Sequence, residues 1–427
     1  MDKNREQKLN IPVELLGIPN IAIKKIIIDK DDKIIILAES TEEDTKCHKC
    51  GRKADRAYGY GEEITLRHLA LFGHEVYIRI KVKRYECGKC GSITNQELSW
   101  YDKRSSHTKA YQDYILLLLV NSTVLDVCIK ENIGYDEVSG MIDRKIKGKV
   151  DWNEVKGVKI LGIDEISLKK GYQDFVTIIT GRCGDKLLLL GILKGKDKST
   201  VKEFLKSIPK KVRKQVKVVC TDMYEGFTNA VKEVFSKKVQ IVVDRFHVAQ
   251  LYRKSVDKLR VKEMKRLKEE LSEEEYKKLK GVMWILRKKE KDLTLEDKEV
   301  LKLLFKYSPD LKLAYGSSNQ LTSIFNSNLS KFHAKHKINS WIRGVEKSGL
   351  NCFRTFIKTL IKFKDEITNY FVDRNTSGFV EGLNNKIKAI KRRCYGILNI
   401  EHLFQRIYLD MCGFSLFLLR TKNQRVT

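Results

Sequence analysis

VKILGID (158–164), FVTIITGR (175–182) and LLLLGIL (187–193) are short apolar runs separated by polar turns, the pattern of strands buried in a sheet. Thr200 with Glu203 offers a capping box that would open a helix. VKVVCTD (216–222) then predicts a buried strand, Tyr224 to Phe235 a helix, and VQIVVD (239–244) a last strand. The order βββαβαβ predicts an α/β sheet with an antiparallel half. Asp164 would end its first strand and Asp222 its fourth, where the carboxyl ends of strands open into a crevice. From 251 to 369 the period turns helical, with capping patterns at Ser272 with Glu275, Thr294 with Asp297, and Ser308 before Pro309. This predicts an all-helical insertion, in which Trp284 and Trp341 are expected to be core residues rather than platforms for bases. SGFVEGLNNKIKAIKRRCYG (377–396) follows as an amphipathic helix. At about 100° per residue, Asn384, Asn385, Lys388 and Arg392 fall near the face of Glu381, and Leu383, Ile387 and Ile390 lie opposite.

The amino-terminal third has a different grammar. HEVYIRIKVKRYEC (74–87) alternates apolar and polar positions for the length of a strand, and it ends on the second of two cysteine pairs, Cys47/Cys50 and Cys87/Cys90. Each pair is followed by glycine, which lets the backbone fold around an ion. Four thiolates suit one tetrahedral Zn2+, so residues 40–100 are expected to be a zinc ribbon with a structural zinc and its second knuckle on a β-hairpin arm. His48 would be exposed, because the cysteines already fill the shell. Residues 123–149 predict two short helices around Gly134, the first capped by Thr123 and Asp126. That is the pattern of a helix-turn-helix, and equally of any αα-hairpin; Arg144 and Lys145 follow on its second helix.

Charge changes the picture. The 427 residues carry 84 Lys+Arg against 55 Asp+Glu, a formal net charge of +29, spread along the chain. A surplus of that size implies a polyanionic partner, nucleic acid in the first place and an anionic membrane surface in the second. The longest aliphatic run, Ile115 to Val120, is far too short to span a bilayer, so no membrane role is expected. The polar start, MDKNREQKLN, does not resemble a signal peptide, and the expected location is intracellular, in a reducing compartment. The other six of the ten cysteines are expected as small core residues. Arg52, Lys53, Arg56, Arg67, Lys81, Lys83 and Arg84 suggest DNA contact by the ribbon, although a protein-binding ribbon could be basic too.

Two strand-end aspartates and a helix-borne glutamate are the set that phosphodiester chemistry with two divalent ions needs, and hard oxygen ligands favour Mg2+ or Mn2+. Taken singly, each aspartate could merely cap a loop. Glu165 would point to the other side of the sheet, as a loop or salt-bridge residue. Asp244 and His247 in DRFH are open between an auxiliary role and a structural hydrogen-bond network.

LGIDEISLKKG, VVCTDMYEGF, VVDRFHV and GFVEGLNNKIKAIKRRCYG, in that order, resemble the bacterial insertion-sequence transposases of the ISL-three type, DDE transposases with a ribonuclease H-like core. The ribbon and helix-turn-helix pattern extend the resemblance over nearly the whole chain. Tyr172 departs from it, since a histidine is common there. The resemblance implies a catalytic triad of Asp164, Asp222 and Glu381, which would also hold the metal, and a bacterial cytoplasmic location in association with the nucleoid. From their charge and place, Lys388, Lys391, Arg392, Arg393, Arg144 and Lys145 are the expected DNA contacts, and Asn384, Asn385, Asp244 and His247 stay open as auxiliaries. The resemblance also implies double-stranded DNA as partner, both element ends and target, and a dimer or higher synaptic assembly, because an element has two ends. The expected fold is a multidomain α/β chain. It comprises an N-terminal segment (1–39), the zinc ribbon (40–100), the helix-turn-helix (105–150), the first part of the ribonuclease H-like core (155–250), the helical insertion (251–369) and C-terminal helices completing the core (370–427). Two rivals stand beside this reading: a DNA-binding regulator descended from a transposase, and a structure-selective nuclease that cuts without joining.

Overall fold

The computed structural model describes residues 11–167, 175–374, 378–394, 397 and 399–418, so Tyr172 lies outside the described residues. The chain divides into two compact units, Met1–Ile146 with Gln405–Thr427, and Lys147–Phe404.

In the first unit, β1 (Ile21–Ile28) and β2 (Ile34–Ser40) form a hairpin. Thr45–Lys46 (β3) and Lys53–Ala54 (β4) make a two-stranded ladder, and β5 (Arg56–Leu71) and β6 (His74–Glu86) form the long arm, to which β7 (Ile93–Asn95) adds. The main sheet runs β1-β2-β6-β5, with β7 on β6. Val76, Ile78, Ile80 and Val82 are buried while Tyr77, Arg79 and Lys81 are not, the period-2 alternation of a sheet covered on one face. Ser40, the last residue of β2, is paired with Ile21, and β2 lies parallel to β6. The sheet therefore runs across the expected 39/40 boundary.

Helices α1 (Lys109–Leu119), α2 (Val124–Glu131) and α3 (Tyr135–Lys145) follow. The Thr123/Asp126 capping box forms as expected, and Gly134 caps α3. Val127, Val138, Met141 and Ile142 close a small core with Leu409. Arg406 donates to the carbonyls of Leu119 and Ser122, and Gln405 to that of Ile146, so the tail from residue 405 belongs to this unit and not to the expected C-terminal core region. Arg67, grouped by sequence with the DNA contacts, is buried instead. It donates to the Glu131 carbonyl (2.7 Å), pairs with Glu75 (3.1 Å) and stacks over Tyr111, because its position faces the helices.

The second unit is built on β8 (Ile160–Ser167), β9 (Phe175–Cys183), β10 (Lys186–Lys194), α4 (Lys198–Ser207), α5 (Lys210–Arg213), β11 (Val218–Thr221), α6 (Glu225–Val234) and β12 (Gln240–Val243). The strand order is β10-β9-β8-β11-β12, antiparallel on the β9 side of β8 and parallel on the β11 side. Successive residues of β11 feed two cores. Val219 meets Val201, Leu205, Phe227 and Val231 of α4 and α6, whereas Val218 and Cys220 join the helical core on the other face. Such two-sided burial explains why the strand lacks alternation. α4 begins at Lys198 behind Asp197, so the Thr200/Glu203 box does not form: the helix starts two residues earlier and both lie within it.

The helical part comprises α7 (Arg245–Glu270), α8 (Glu273–Lys277), α9 (Val282–Ile285), α10 (Leu295–Tyr307), α11 (Pro309–Asn326), α12 (Lys331–Lys347), α13 (Arg354–Lys362), α14 (Lys364–Thr368) and α15 (Tyr370–Asp373). Ser272, Thr294 and Ser308 cap their helices as expected. Trp341 is buried and donates to the Ser317 carbonyl. Trp284 is 64% exposed under the Arg287 guanidinium and is not the core residue expected, since Val282 and Ile285 fill the buried face of its single-turn helix. α16 (Gly378–Arg393) and α17 (Ile400–Phe417) complete the chain. Of the scattered cysteines only Cys220 is fully buried; Cys128, Cys183, Cys352, Cys394 and Cys412 are half-buried.

Phe227 is wholly buried on α6, edge-on to Tyr224. Phe227→Ala should cost the second unit about 3–5 kcal/mol, seen as an earlier urea transition. An unmoved transition would show that Phe227 does not hold α6 to the sheet.

Candidate active site and cysteine centre

The register of the parallel strands sets the site. Ile163, Thr221 and Val243 share one row across β8, β11 and β12, so Asp164, Asp222 and Asp244 follow one residue beyond it on three neighbouring chains. Asp164 does not end its strand as expected. β8 continues to Ser167 against β9, with Asp164 opposite Ile178, because the antiparallel partner goes on where the parallel one stops.

Asp164 accepts from its neighbour Glu165 N–H (2.8 Å) and from Asn384 Nδ2 (2.6 Å). Asp222 Oδ1 is buried with no hydrogen-bond partner. Burial pushes the Asp222 carboxyl up to about 6, with the Asp164 charge adding to it. Burial likewise raises Asp164. His247 Nδ1 is buried without a hydrogen-bond partner. Asp244 caps α7 by accepting from Phe246 N–H (3.0 Å). Glu165 pairs with Lys196 (3.1 Å), the salt bridge expected of it. Lys196 itself had no signal in the sequence, yet it lies over the rings of Phe175 and Tyr224 at 4.5 and 5.4 Å.

α16 packs against β8 and buries Leu383, Ile387 and Ile390, the apolar face read from the sequence. Asn384, expected on the open polar face with Glu381, is 4% exposed, because its amide reaches Asp164. Glu381 is exposed, one turn toward the helix start from Asn384, and side chains three apart on a helix are neighbours at about 5–6 Å between Cβ atoms. Its carboxylate is not gathered tightly with the aspartates. Among the described residues, the four cysteines alone form a group of three or more His, Cys, Asp or Glu side chains with ligand atoms within 4.8 Å of one another. Asn385, Lys388 and Arg392 are exposed. Lys391 departs from the expected set of open cations: its ammonium donates to the Ser167 carbonyl (2.8 Å) and burial lowers its pKa. Arg393 is half-buried. In the first unit Arg144 is exposed, and Lys145 is half-buried against Asp113 (3.2 Å).

The ladder of β3 and β4 and the ends of β6 and β7 bring Cys47, Cys50, Cys87 and Cys90 together. Cys47 and Cys90 sulfurs lie 3.6 Å apart, and those of Cys50 and Cys87 3.5 Å. With Zn–S bonds of about 2.3 Å the sulfurs of a tetrahedral site are separated by about 3.8 Å, so the cluster fits zinc. Gly51 and Gly91 adopt positive φ and donate to the Cys47 and Cys87 carbonyls, closing the two knuckles. The Cys50 amide, with that of Lys49, holds the Cys47 thiol down to about 6. Cys50 has the Arg52 amide beside it, but desolvation and the other sulfurs push it up to about 11. Four adjacent sulfurs cannot all ionise without a cation. His48 is exposed, as expected, with its Nδ1 at Thr94 Oγ1 (2.9 Å).

Two protein-family profiles match the chain. One, described as "Transposase", covers residues 161–407, and the other, "zinc-finger of transposase IS204/IS1001/IS1096/IS1165", covers residues 43–90. The transposase for insertion sequence element IS1001 of Bordetella parapertussis is 25% identical over 368 residues, 84% of this chain and 87% of that protein. The transposase for insertion sequence element IS1557 of Mycobacterium tuberculosis is 23% identical over 393 residues, 86% of each. The profile matching 161–407 contains the aspartate row, the helical region and α16, and the second contains the cysteine cluster; the chain belongs to the ISL-three family of transposases.

Proposed function

We propose that the chain binds the terminal inverted repeats of its own insertion sequence, cleaves the DNA strands at the ends and joins the freed 3′-hydroxyls to target DNA. The observation that carries this reading is the pair of half-buried carboxylates, Asp164 and Asp222, on adjacent parallel strands, with α16 held against Asp164 through Asn384. Asp222 Oδ1, buried and unpartnered, is what a cation-binding carboxylate looks like before the cation is counted. Asp164, Asp222 and Glu381 would hold Mg2+ or Mn2+. Two such ions, when bound, activate an attacking oxygen and stabilise a leaving one.

The protein's own groups have separable tasks in this scheme. Asn384 fixes the rotamer of Asp164. Lys388 and Arg392, one and two turns beyond it on α16, bind backbone phosphates, and the exposed Asn385 and half-buried Arg393 flank them. Glu381 is one turn from Asn384, so a small rotation of its side chain or a tightening of α16 on DNA binding completes the triad. Sheet order and carboxylate placement support a ribonuclease H-like core. In the first unit, the cysteine centre would carry one structural Zn2+, and α2 with α3 would act as a helix-turn-helix that helps select the ends, with Arg144 available for DNA. Two ends must be held at once, so a dimer or larger synaptic complex is the working form.

The decisive test is incubation of the full chain and Mg2+ with DNA bearing the flanking element ends. Asp222→Asn or Glu381→Gln keeps shape and removes charge, and should lower cleavage and joining by several orders of magnitude while specific end binding survives. A Glu381→Gln protein that still joined ends would remove the triad from the mechanism. Cys87→Ser should reduce bound zinc, loosen the arm and weaken end binding; unchanged specific binding after zinc loss would leave the ribbon without a part in recognition. Lys388→Ala or Arg392→Ala should weaken binding about equally across sequences and reduce the log-affinity against log-salt slope by about one unit each. A changed preference among end sequences at constant slope would make them base readers.

A further inference from the structure

β11 and β12 are parallel neighbours, so the loops that lead into them lie together at the end of the sheet opposite the aspartates. Both loops are basic. The segment PKKVRKQVK (209–217) enters β11 and SKK (236–238) enters β12. Together with α14 and α15 they enclose a groove of about 1370 Å3, lined by Lys210, Arg213, Lys214, Lys217, Lys237 and Lys238 among others.

Two of its three acidic residues are already paired. Glu366 pairs with Lys232 (2.7 Å) and Asp365 with Lys335 (2.8 Å). Among the described residues none of the six loop cations pairs with a carboxylate, and Asp373 is the one lining carboxylate without a cation. Arg213 Nε is buried with no hydrogen-bond partner. Folding leaves six positive charges around one concavity, close enough to repel one another, and a bound polyanion is what relieves that.

We propose that this groove is a second DNA-binding surface of the catalytic unit, which holds backbone phosphates of a duplex segment other than the one being cut. The proposal rests on the transposase reading above. From Lys217 to Asp222 along β11 is about 16 Å at about 3.3 Å per residue, with the sheet between them. The groove and the aspartates lie at opposite ends of the strands, so the occupant is a segment away from the reacting phosphate, and a lysine-rich lining assigns it to the target duplex, which is held without sequence reading. The cations are mostly lysines, carried by the short helix α5 and by the turns that lead into β11 and β12, which suits delocalised attraction to phosphates rather than base recognition.

The test uses the full chain with a random-sequence duplex and no divalent ion, so neither cleavage nor end recognition enters the readout. Lys210, Lys214, Lys237 and Lys238 are exposed, and Ala at all four should leave the fold intact. The salt slope should fall in magnitude by about 0.9 for each phosphate no longer neutralised, up to about 3.6 for four, with at least tenfold weaker binding at low salt. Combined with Lys388→Ala, the reductions in slope should add, because the surfaces are separate. An unchanged slope would overturn the proposal. So would weakened binding that appears with polyglutamate but not with DNA, which would make the groove a site for acidic protein. Loss of cleavage in Asp222→Asn, or its persistence, bears on the transposase mechanism and not on this measurement.

Discussion

Two half-buried carboxylates side by side at the end of a sheet are unstable as a pair of charges, and the second unit is arranged around that fact. Asp164 and Asp222 lose hydration and repel one another, which is why the Asp222 carboxyl is pushed up to about 6. The surroundings supply only partial compensation: one backbone N–H and one amide to Asp164, and no hydrogen bond to Asp222 Oδ1.

The first unit repeats the logic with softer atoms. Two glycine-closed knuckles bring four sulfurs within 4.8 Å of one another while backbone amides favour the Cys47 thiolate. In both units the backbone imposes a proximity that the side chains alone would resist. The geometry of each cluster is therefore specified by the backbone.

Much of this was legible in the sequence because it depends on local rules. Apolar runs of strand length gave the second sheet with its antiparallel half, cysteine spacing gave the cluster, and Ser/Thr-x-x-Glu/Asp patterns gave the caps at Thr123, Ser272 and Thr294. What escaped depends on which chains become neighbours. Asp164 lies mid-strand because β9 outlasts β11 beside it. Asn384 is buried because an aspartate 220 residues away requires its amide. Lys391 and Arg67 resembled DNA contacts, being basic, and became structural because a carbonyl lay within reach. The Thr200/Glu203 pair had the right spacing and lost to a helix start at Asp197, which shows that a capping box in sequence is permission and not instruction.

The helical insertion raises a question of geometry: how can more than a hundred residues intervene between Asp244 and Glu381 without displacing the glutamate's helix? The chain answers by closing the insertion on its own point of departure. Arg245, the first residue of α7, donates to Tyr370 Oη (3.0 Å) and Asn326 Oδ1 (2.8 Å), so the residue that leaves the sheet grips the residues that return. Asn369 then donates to the Ile241 carbonyl (2.7 Å), satisfying a backbone acceptor of the edge strand β12 that would otherwise face the helices unpaired. The insertion's length is thereby decoupled from the position at which α16 begins. Arg245, Asn369 and Tyr370 thus hold the end of the excursion, at α15, beside the strand edge from which α7 departs.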